Sequence, residues 1–385
     1  MQRPKNPPRG TYDLLPKDSE KWQMVEKLAK DIFQKASFQE IRTPIFEATE
    51  IFARAAGETS DIVNKEMYTF EDRSGRSITL RPEGTAGVVR AFLSNGLDRA
   101  PKPVKLWYQG PMFRYERSQT GRYRQFTQLG LEQFGSNSPE IEFEMISMAW
   151  NLFQKLEIEN LTLEINSVGD KESREIYQKA MKEFLNDNLS QICPDCQKRA
   201  ETNPLRALDC KVPEDQELYQ SKAPKIQDYL NEDCKNHQDI LLNLFKEFQM
   251  PYSLNQSLVR GLDYYTKTVF EIKTSDSKLG VQNTICAGGR YDGLVKELGG
   301  PETSAFGWAL GMERLITLLN ENSNESKLDY FVTYPVGKFN KAYKIVQDLR
   351  NQGYSVAVDY ENSKDENKQF KIGQKLNAKE IITAN

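Results

Sequence analysis

Apolar positions in this chain alternate between the spacing of helices and the spacing of strands. Between Trp22 and Phe33 they recur every three or four residues, which predicts an amphipathic helix starting near Glu20. Period-two alternation and turn residues predict hairpin-connected strands rather than helical crossovers, so the large domain is expected to be α+β on an antiparallel sheet. Further helices are predicted at 49–56, 86–94 and 140–156, and extended segments at 41–45, 77–80, 105–108, 112–116, 124–134, 161–165, 268–272 and 284–286, with a strand-to-helix passage at 306–315.

The pattern changes twice along the chain. From about 170 to 250 it becomes helical and charged with few apolar residues, which indicates an inserted helical subdomain. Residues 320–327 have the composition of a linker. Beyond them, segments at 330–334, 340–351, 355–359, 364–376 and 380–383 predict a small parallel βαβαβ unit. The predicted domains are therefore residues 1–325 and 328–385.

Composition adds few restrictions. Hydrophobic residues make up 38% and charged residues 28%, as in globular proteins with a sizeable core. No run approaches the roughly 18 apolar residues of a membrane span, and the first residues lack a signal-peptide pattern, so we expect a cytoplasmic protein without membrane contact. The net charge of −3 does not indicate nucleic-acid binding, although a local basic surface can still bind phosphates.

Five cysteines, an odd number, argue against a disulfide framework. Four of them, Cys193, Cys196, Cys210 and Cys234, are weak zinc candidates, and the only histidine, His237, follows three residues after the last. Their uneven spacing favours free thiols over a metal site. A single histidine also excludes most Ser-His and Cys-His catalytic schemes, so any chemistry must depend on carboxylates, guanidiniums and ions.

The segment 258–266 carries the densest chemistry, because Arg260, Asp263, Tyr264 and Tyr265 surround Gly261 just before an apolar strand. A guanidinium suits an anionic substrate group, and phenols suit a small planar polar one. The alternative is an internal Arg260–Asp263 pair in a turn.

The predicted hairpin carries a second set of polar residues. Gln128, Gly130 and Glu132 lie two apart and share one face, with the glycine leaving room between an amide and a carboxylate. Arg114 and Glu116 share a face of the facing strand. These side chains predict either a substrate pocket or a solvated face with cross-strand ion pairs.

Two later segments carry weaker signals, and the second of them hints at a nucleotide. Residues 287–294 contain three glycines, where backbone passes close to a neighbour. Arg314 lies at the start of a predicted helix, where the dipole disfavours a cation unless the cation binds a phosphate. Neither a P-loop nor a dinucleotide fingerprint is present.

Together these segments resemble histidyl-tRNA synthetases. The resemblance rests on 81–85, 113–117, 121–126, 258–265, 287–294 and 311–315, and its bacterial character on 9–11, 43–44, 202–206 and 209–211. It implies a class II synthetase core with a six-stranded antiparallel sheet flanked by helices, a helical insertion that contacts tRNA, and a homodimer formed partly through the Pro44 region. The implied reaction activates L-histidine with ATP and Mg²⁺ and transfers it to tRNA(His).

The resemblance also implies residue roles. Arg260 and Arg114 are the expected catalytic residues, with Arg114, Glu116 and Arg314 binding ATP. The expected histidine site consists of Glu83, Thr85, Gln128, Glu132, Arg260, Tyr264, Tyr265 and Tyr291. Gln119, Arg122 and Arg124 are expected to meet the tRNA acceptor end.

The chain departs from the family at several points. Thr127 replaces a usual histidine, on the face opposite Gln128, and Ser118 replaces a usual proline at the hairpin tip. The βαβαβ unit resembles only part of the family's anticodon-binding domain, so it looks truncated and anticodon reading is in doubt.

Two other functions compete with the enzyme. A non-catalytic histidine-binding paralog, resembling the regulatory subunit of ATP phosphoribosyltransferase, usually loses parts of the substrate motifs. A tRNA-binding module without activation would not need Arg314. Because Arg114, Arg260 and Arg314 are all present, the sequence favours a histidine–tRNA ligase.

Overall fold

A computed structural model describes residues 6–57, 62–117, 121–261, 264–280, 283–320, 328–360 and 365–384. The chain divides into two compact units, one comprising Met1–Leu14 and Trp22–Leu319, the other Leu15–Lys21 and Asn320–Asn385. Residues 321–327 of the predicted linker lie outside the described residues. The domain limits predicted from composition therefore remain a prediction.

The predicted amphipathic helix is the first helix along the chain. Its inward face buries Trp22, Val25 and Phe33, and it begins at Pro16, earlier than predicted, because proline is well suited to the first helical turn. The elements in order are α1 Pro16–Lys35, β1 Gln39–Glu40, β2 Phe46–Ala48, α2 Thr49–Ala56, β3 Tyr68–Glu71, β4 Ser77–Leu80, α3 Thr85–Ser94, β5 Val104–Phe113, β6 Gln125–Phe134, α4 Pro139–Lys155 and β7 Leu161–Ser167.

The predicted helical insertion follows β7. Its helices enclose a separate apolar core that includes Tyr177, Met181 and Leu185. After the insertion the chain returns to the large sheet. The elements are α5 Lys171–Asp187, α6 Pro194–Thr202, α7 Pro213–Lys222, α8 Glu232–Glu247, β8 Ser253–Leu254, β9 Thr266–Thr274, β10 Thr284–Arg290, α9 Leu294–Glu297, β11 Ala305–Gly311 and α10 Met312–Leu318.

The large sheet has the strand order β1-β5-β6-β11-β10-β9-β7-β8. Its six central strands pair antiparallel, and the two-residue strands β1 and β8 add parallel edges. Leu129 and Leu131 of β6 pack into the core that contains α1 and α4 residues. Because side chains alternate along a strand, Gln128, Gly130 and Glu132 face the opposite side of the sheet. The expected α+β architecture with a six-stranded antiparallel core is confirmed.

Two strand predictions were wrong. Residues 41–45 form a loop between β1 and β2, and Arg81 donates hydrogen bonds to the carbonyls of Thr43 (2.9 Å) and Pro44 (3.4 Å). The Arg81 side chain therefore satisfies backbone carbonyls that would bond to a neighbouring strand if residues 41–45 were extended. The second error is the gap placed within β5, which is continuous to Phe113, so that Arg114 follows the strand.

The smaller unit has the predicted βαβαβ order. Its elements are β12 Tyr330–Thr333, α11 Phe339–Asn351, β13 Val356–Val358, α12 Glu366–Lys375 and β14 Glu380–Thr383. The strands pair parallel in the order β13-β12-β14. Val332 and Val346 are buried in its core. In the described part of the chain, no helix combines the length and apolar character needed to cross a bilayer.

Candidate active site

A cavity of about 530 Å³ opens on the sheet face that carries Gln128. Its wall combines the start of α3, strand β6, the segment 259–265 and parts of β9, β10 and β11. Most of the side chains predicted from the sequence to bind substrates therefore meet in one place. Those that line the cavity are Glu83, Thr85, Arg114, Glu116, Arg122, Gln128, Arg260, Tyr264, Tyr265, Tyr291 and Arg314.

Glu83 lies where the polypeptide turns into α3. Its carboxylate accepts hydrogen bonds from the backbone N–H groups of Thr85 (2.6 Å) and Ala86 (2.8 Å), which satisfies donors that the first turn of a helix leaves open. Burial raises the pKa of Glu83, although these hydrogen bonds partly oppose the effect. The structure therefore fixes this carboxylate rigidly at the cavity wall.

Glu132 lies behind the cavity wall rather than on it. It accepts a hydrogen bond from Thr85 Oγ1 (2.7 Å) and another from the hydroxyl of Tyr291. A Cβ atom at Gly307, on the neighbouring strand β11, would lie 1.7 Å from the Glu132 carboxylate, so only glycine leaves space for it. Burial raises the pKa of Glu132 to about 8.

Tyr108 is a site residue that the sequence analysis missed. It is the cross-strand partner of Gly130, and a Cβ at that glycine would lie 2.4 Å from its ring. A Cβ at Gly84 would also strike the ring, at 2.1 Å. The space left by Gly130 is thus filled by a phenol and not by substrate. The sequence could have indicated Tyr108 through the pairing of an aromatic residue with a glycine in one hairpin. Recognising that pair requires the register of β5 and β6, which the sequence does not give.

Three phenols close the inner end of the cavity. The rings of Tyr264 and Tyr265 have centroids 4.6 Å apart, and Tyr264 meets Tyr291 edge-on at 5.6 Å. Burial raises the pKa of all three hydroxyl groups, so they remain protonated hydrogen-bond donors at neutral pH. The arrangement supplies neutral donors beside the carboxyl groups of Glu83 and Glu132.

The guanidinium groups of Arg114, Arg260 and Arg314 line the same cavity, although their positions span two hundred residues of sequence. Arg114 donates to the carbonyl of Pro82 (2.7 Å) and lies over the ring of Phe126. These contacts hold its planar group in one orientation, which suits recognition of a phosphate.

Arg260 forms an ion pair with Glu271, on β9. Glu271 also accepts a hydrogen bond from Thr284 Oγ1 (2.9 Å) and lies 3.3 Å from Lys273 Nζ. The partner first considered from the sequence, Asp263, lies outside the described residues. Glu271 was missed because it follows Arg260 by eleven positions, across the return of the chain into β9.

Arg314 donates a hydrogen bond to the carbonyl of Thr284 (2.7 Å). Burial and the nearby guanidiniums of Arg122 and Arg114 lower its pKa, a sign of positive charge concentrated in a partly desolvated place. Arg122 pairs with Glu116 at 2.5 Å, and Arg114 lies 3.8 Å from the same carboxylate. This end of the cavity is suited to a polyanion.

One predicted tRNA contact, Arg124, does not line the cavity. The guanidinium of Arg124 stacks on the ring of Tyr115 at 3.8 Å and donates to the carbonyl of Glu116. Gln119 lies outside the described residues, as does Ser118.

The proposed cysteine cluster needs correction. Cys193, Cys196 and Cys210 come together with Asp215, whereas Cys234 is not in the group found among the described residues. Cys234 lies in the first turn of α8, where its N–H donates to Asn231. His237 is no ligand either, because its Nε2 bonds to the buried Glu142 at 2.8 Å. Spacing along the sequence could not show which elements pack together.

The chain is similar to proteins of one family. A model of the family described as histidyl-tRNA synthetase matches residues 10–315. Histidine–tRNA ligase from Bacillus subtilis (strain 168) is 47% identical over 384 residues, which cover 98% of this chain and 90% of that protein. The ligase from Pediococcus pentosaceus is 48% identical over 385 residues, with the same coverage of 98% and 90%.

A solved structure supports the same assignment. S. aureus histidyl-tRNA synthetase aligns with a TM-score of 0.82 and 37% identity, covering 98% of this chain and 91% of that one. The sheet topology, the convergence of the predicted motifs and these similarities agree. The chain belongs to the histidyl-tRNA synthetase family.

Proposed function

We propose that the cavity binds L-histidine at its phenolic end and ATP at its arginine end, and that the two react there. As a histidyl-tRNA synthetase, the protein is a ligase that converts histidine and ATP to histidyl-adenylate and transfers the histidyl group to tRNA(His). The observation that supports the placement is the convergence of Arg114, Arg260 and Arg314 on one cavity that also holds Glu83.

The histidine end offers groups that match an imidazole and an amino group. The carboxylate of Glu83 can accept hydrogen bonds from N–H donors, and Tyr264 can donate to an unprotonated ring nitrogen. Glu132 is assigned a positioning role behind the wall, because its two oxygens accept hydrogen bonds from Thr85 and Tyr291. Gln128 is held by a hydrogen bond from the N–H of Gly84 (3.1 Å). A site built of polar groups also rejects analogues that lack them, because those groups would be left buried and unpaired.

The arginine end lowers the barrier to adenylate formation. The histidine carboxylate is already ionised at neutral pH, so attack on the α-phosphorus requires no general base. It does require positive charge, since two like charges about 4 Å apart repel by roughly 4 kcal/mol at an effective dielectric constant of 20. Arg114 is assigned to the α-phosphate, Arg314 to the γ-phosphate, and Arg260 to the charge that develops at the α-phosphorus.

ATP is assigned as its magnesium complex. The cavity carboxylates of Glu116 and Glu271 are ion-paired with Arg122 and Arg260 respectively. Because these carboxylates are already ion-paired, Mg²⁺ would be held mainly by phosphate oxygens and water, which is its usual coordination. Glu116 is assigned to the adenine region.

The tRNA acceptor end is assigned to the side of the cavity that holds Arg122. Arg124 and Gln119 complete this proposed surface. Both arginines belong to the connection between β5 and β6, so their guanidiniums can contact phosphates without carrying sequence information.

A homodimer is proposed through the region around Pro44. Next to it, Ile45 and Phe46 are 44% and 55% exposed, and Phe70 of the same small sheet is 47% exposed. Exposed apolar side chains grouped in this way are typical of subunit interfaces. Because tRNA is the substrate of the second step, the cytoplasm is the proposed location.

Histidine-dependent exchange of pyrophosphate into ATP tests the function, followed by charging of tRNA(His). We expect both with L-histidine and neither with other amino acids. A neighbouring fold from Bacillus halodurans, described as an ATP phosphoribosyltransferase regulatory subunit/histidyl-tRNA synthetase, is only 20% identical with a TM-score of 0.71, so the likeness concerns the fold alone. Histidine binding without exchange would favour that regulatory function.

A further inference from the structure

Three cysteines and one aspartate gather inside the helical insertion. The ligand atoms of Cys193, Cys196, Cys210 and Asp215 all lie within 4.8 Å of one another. All but Cys193 are buried, and Cys193 is half-buried. We propose that these four residues form a structural zinc site that fixes the part of the insertion next to the active site.

The distances fit tetrahedral zinc. Zn–S bonds of about 2.3 Å at tetrahedral angles place two sulfurs about 3.8 Å apart, and a Zn–O bond of about 2.0 Å places sulfur and oxygen about 3.5 Å apart. Sγ of Cys193 and Sγ of Cys210 are separated by 3.7 Å. Sγ of Cys210 lies 3.3 Å from Oδ2 of Asp215. Both separations match ligands that share one ion.

Three thiolates and a carboxylate around Zn²⁺ carry a net charge of −2, and the backbone offsets it. The N–H of Cys196 points at Sγ of Cys193 (3.4 Å), and that of Val212 points at Sγ of Cys210 (3.5 Å). The N–H of Cys193 lies 3.2 Å from both carboxylate oxygens of Asp215. One of these oxygens can therefore bind zinc while the other keeps the hydrogen bond.

Two helix N-termini converge on the same place. Cys193 is the N-cap of α6, and Cys196 lies in the first turn of that helix. Asp215 lies in the first turn of α7. The positive ends of two helix dipoles thus face the negatively charged ligands, an arrangement that stabilises thiolates. Thiolates in turn favour zinc over hard cations such as Mg²⁺.

The hydroxyl of Tyr219 supplies an independent sign of a ligand. It is buried, and it has no hydrogen-bond partner of good geometry within the described part of the chain. It lies beside the thiol of Cys196. A thiolate bound to zinc would become a stronger acceptor for this O–H group, which is the usual role of residues around metal ligands.

The site would join elements that contact the active centre. Arg206, between Cys196 and Cys210, donates to the carbonyl of Gly261 in the segment that carries Arg260 (2.6 Å). Arg199 of α6 in turn donates to the carbonyl of Arg206 (3.0 Å). Lys211, next to Cys210, lines the substrate cavity. Zinc would therefore hold one side of that cavity in place.

The first test needs no variant. The full chain is purified without chelator and with zinc in the medium, and its metal content is measured by mass spectrometry. We expect about one zinc per chain, and a Co²⁺-substituted sample should show the sulfur-to-cobalt absorption and intense visible bands of a tetrahedral thiolate site. Absence of both zinc and the cobalt bands would overturn the proposal. A Cys193–Cys210 disulfide in the isolated protein, seen as three free thiols instead of five, would overturn it as well.

Variants locate the ligands. Cys210→Ser should lower zinc affinity at least about tenfold, Asp215→Asn should do the same, and Tyr219→Phe should weaken binding by about tenfold while keeping one ion per chain. The matched control is Cys234→Ser, a buried cysteine of the same insertion, which should bind zinc as the unaltered protein does. If Cys210→Ser fails to fold, two measurements still test the site: the cobalt spectrum of the unaltered protein, and the zinc content of Asp215→Asn compared with that of Cys234→Ser. Equal zinc content in Cys210→Ser, or loss in Cys234→Ser, would refute the assignment.

Discussion

The hydroxyl of Tyr291 donates a hydrogen bond to the buried carboxylate of Glu132, from a position 159 residues later in the sequence. The second carboxylate oxygen accepts from Thr85. This contact joins the β6 strand to the glycine-rich segment after β10 and fixes the inner end of the cavity. It also places a titratable group where water cannot solvate its charge.

We predict that this burial makes stability depend on pH. Burial raises the pKa of Glu132 to about 8 in the folded protein, from an ordinary value of 4.5. Between these values the folded chain holds a proton that the unfolded chain lacks, so the free energy of unfolding falls as pH rises through this window. Glu132→Gln removes the charge and keeps one acceptor oxygen, while its amide N–H can donate to the other hydroxyl. This variant should flatten the fall and raise stability at pH 9 by about 1 kcal/mol or more.

Urea denaturation of the substrate-free protein from pH 5 to pH 9 measures this effect. The control is Glu50→Gln, which alters an exposed glutamate of α2. An unchanged slope in Glu132→Gln would show that this carboxyl group does not titrate as described.

We predict that Arg260→Ala abolishes histidine-dependent ATP–pyrophosphate exchange while leaving histidine affinity largely intact. The reason is that Arg260 is assigned to charge that develops at the α-phosphorus and not to the ground state. Removal of one such electrostatic contact typically lowers the rate by a factor of about 10²–10³. Because Arg260 pairs with Glu271, the double variant Arg260→Ala/Glu271→Gln serves as a control for the stranded carboxylate. Equal losses in rate and in affinity would contradict the role.

We predict that Arg314→Ala weakens ATP binding about tenfold or more, since it removes a charged contact to the γ-phosphate. Thermal shift with increasing ATP measures this directly, because a ligand stabilises the folded state according to its concentration relative to Kd. The control is Arg54→Ala, whose guanidinium pairs with Glu50 on an exposed helix face. An ATP-dependent shift that is the same in both variants would remove Arg314 from the phosphate site.

We predict that Gly130→Ala destabilises the protein by about 1–3 kcal/mol, the usual cost of an added methyl group in a packed interior. The new Cβ would lie 2.4 Å from the Tyr108 ring. Gly311→Ala is the matched control, since Gly311 also lies in a strand of the large sheet and no atom would approach its Cβ within 4 Å. Urea denaturation of both variants measures the difference in their free energies of unfolding. A Gly130→Ala protein as stable as the control would show that Tyr108 can move away.

The sequence could reveal much of this site, because the informative signals were local. Alternation along β6 was enough to put Gln128 and Glu132 on one face, and the change of rhythm after residue 320 was enough to predict the βαβαβ order. Both depend on residues a few positions apart.

The remaining features depend on register and packing between distant segments. Tyr108 meets Gly130 only through the pairing of β5 with β6, and Glu271 reaches Arg260 only when β9 is in place. Asp215 joins the cysteines because α7 begins beside α6, a proximity that spacing does not encode. Cys234 was included for its residue type alone. Such contacts become visible only in three dimensions.

The most direct test is a crystal structure of the full chain with an unreactive sulfamoyl analogue of histidyl-adenylate. We predict that the guanidiniums of Arg114 and Arg260 lie about 3 Å from the sulfamoyl oxygens, and that the imidazole lies within hydrogen-bonding distance of Tyr264 or Glu83. An analogue bound elsewhere, or bound here with both guanidiniums turned away from it, would contradict the account.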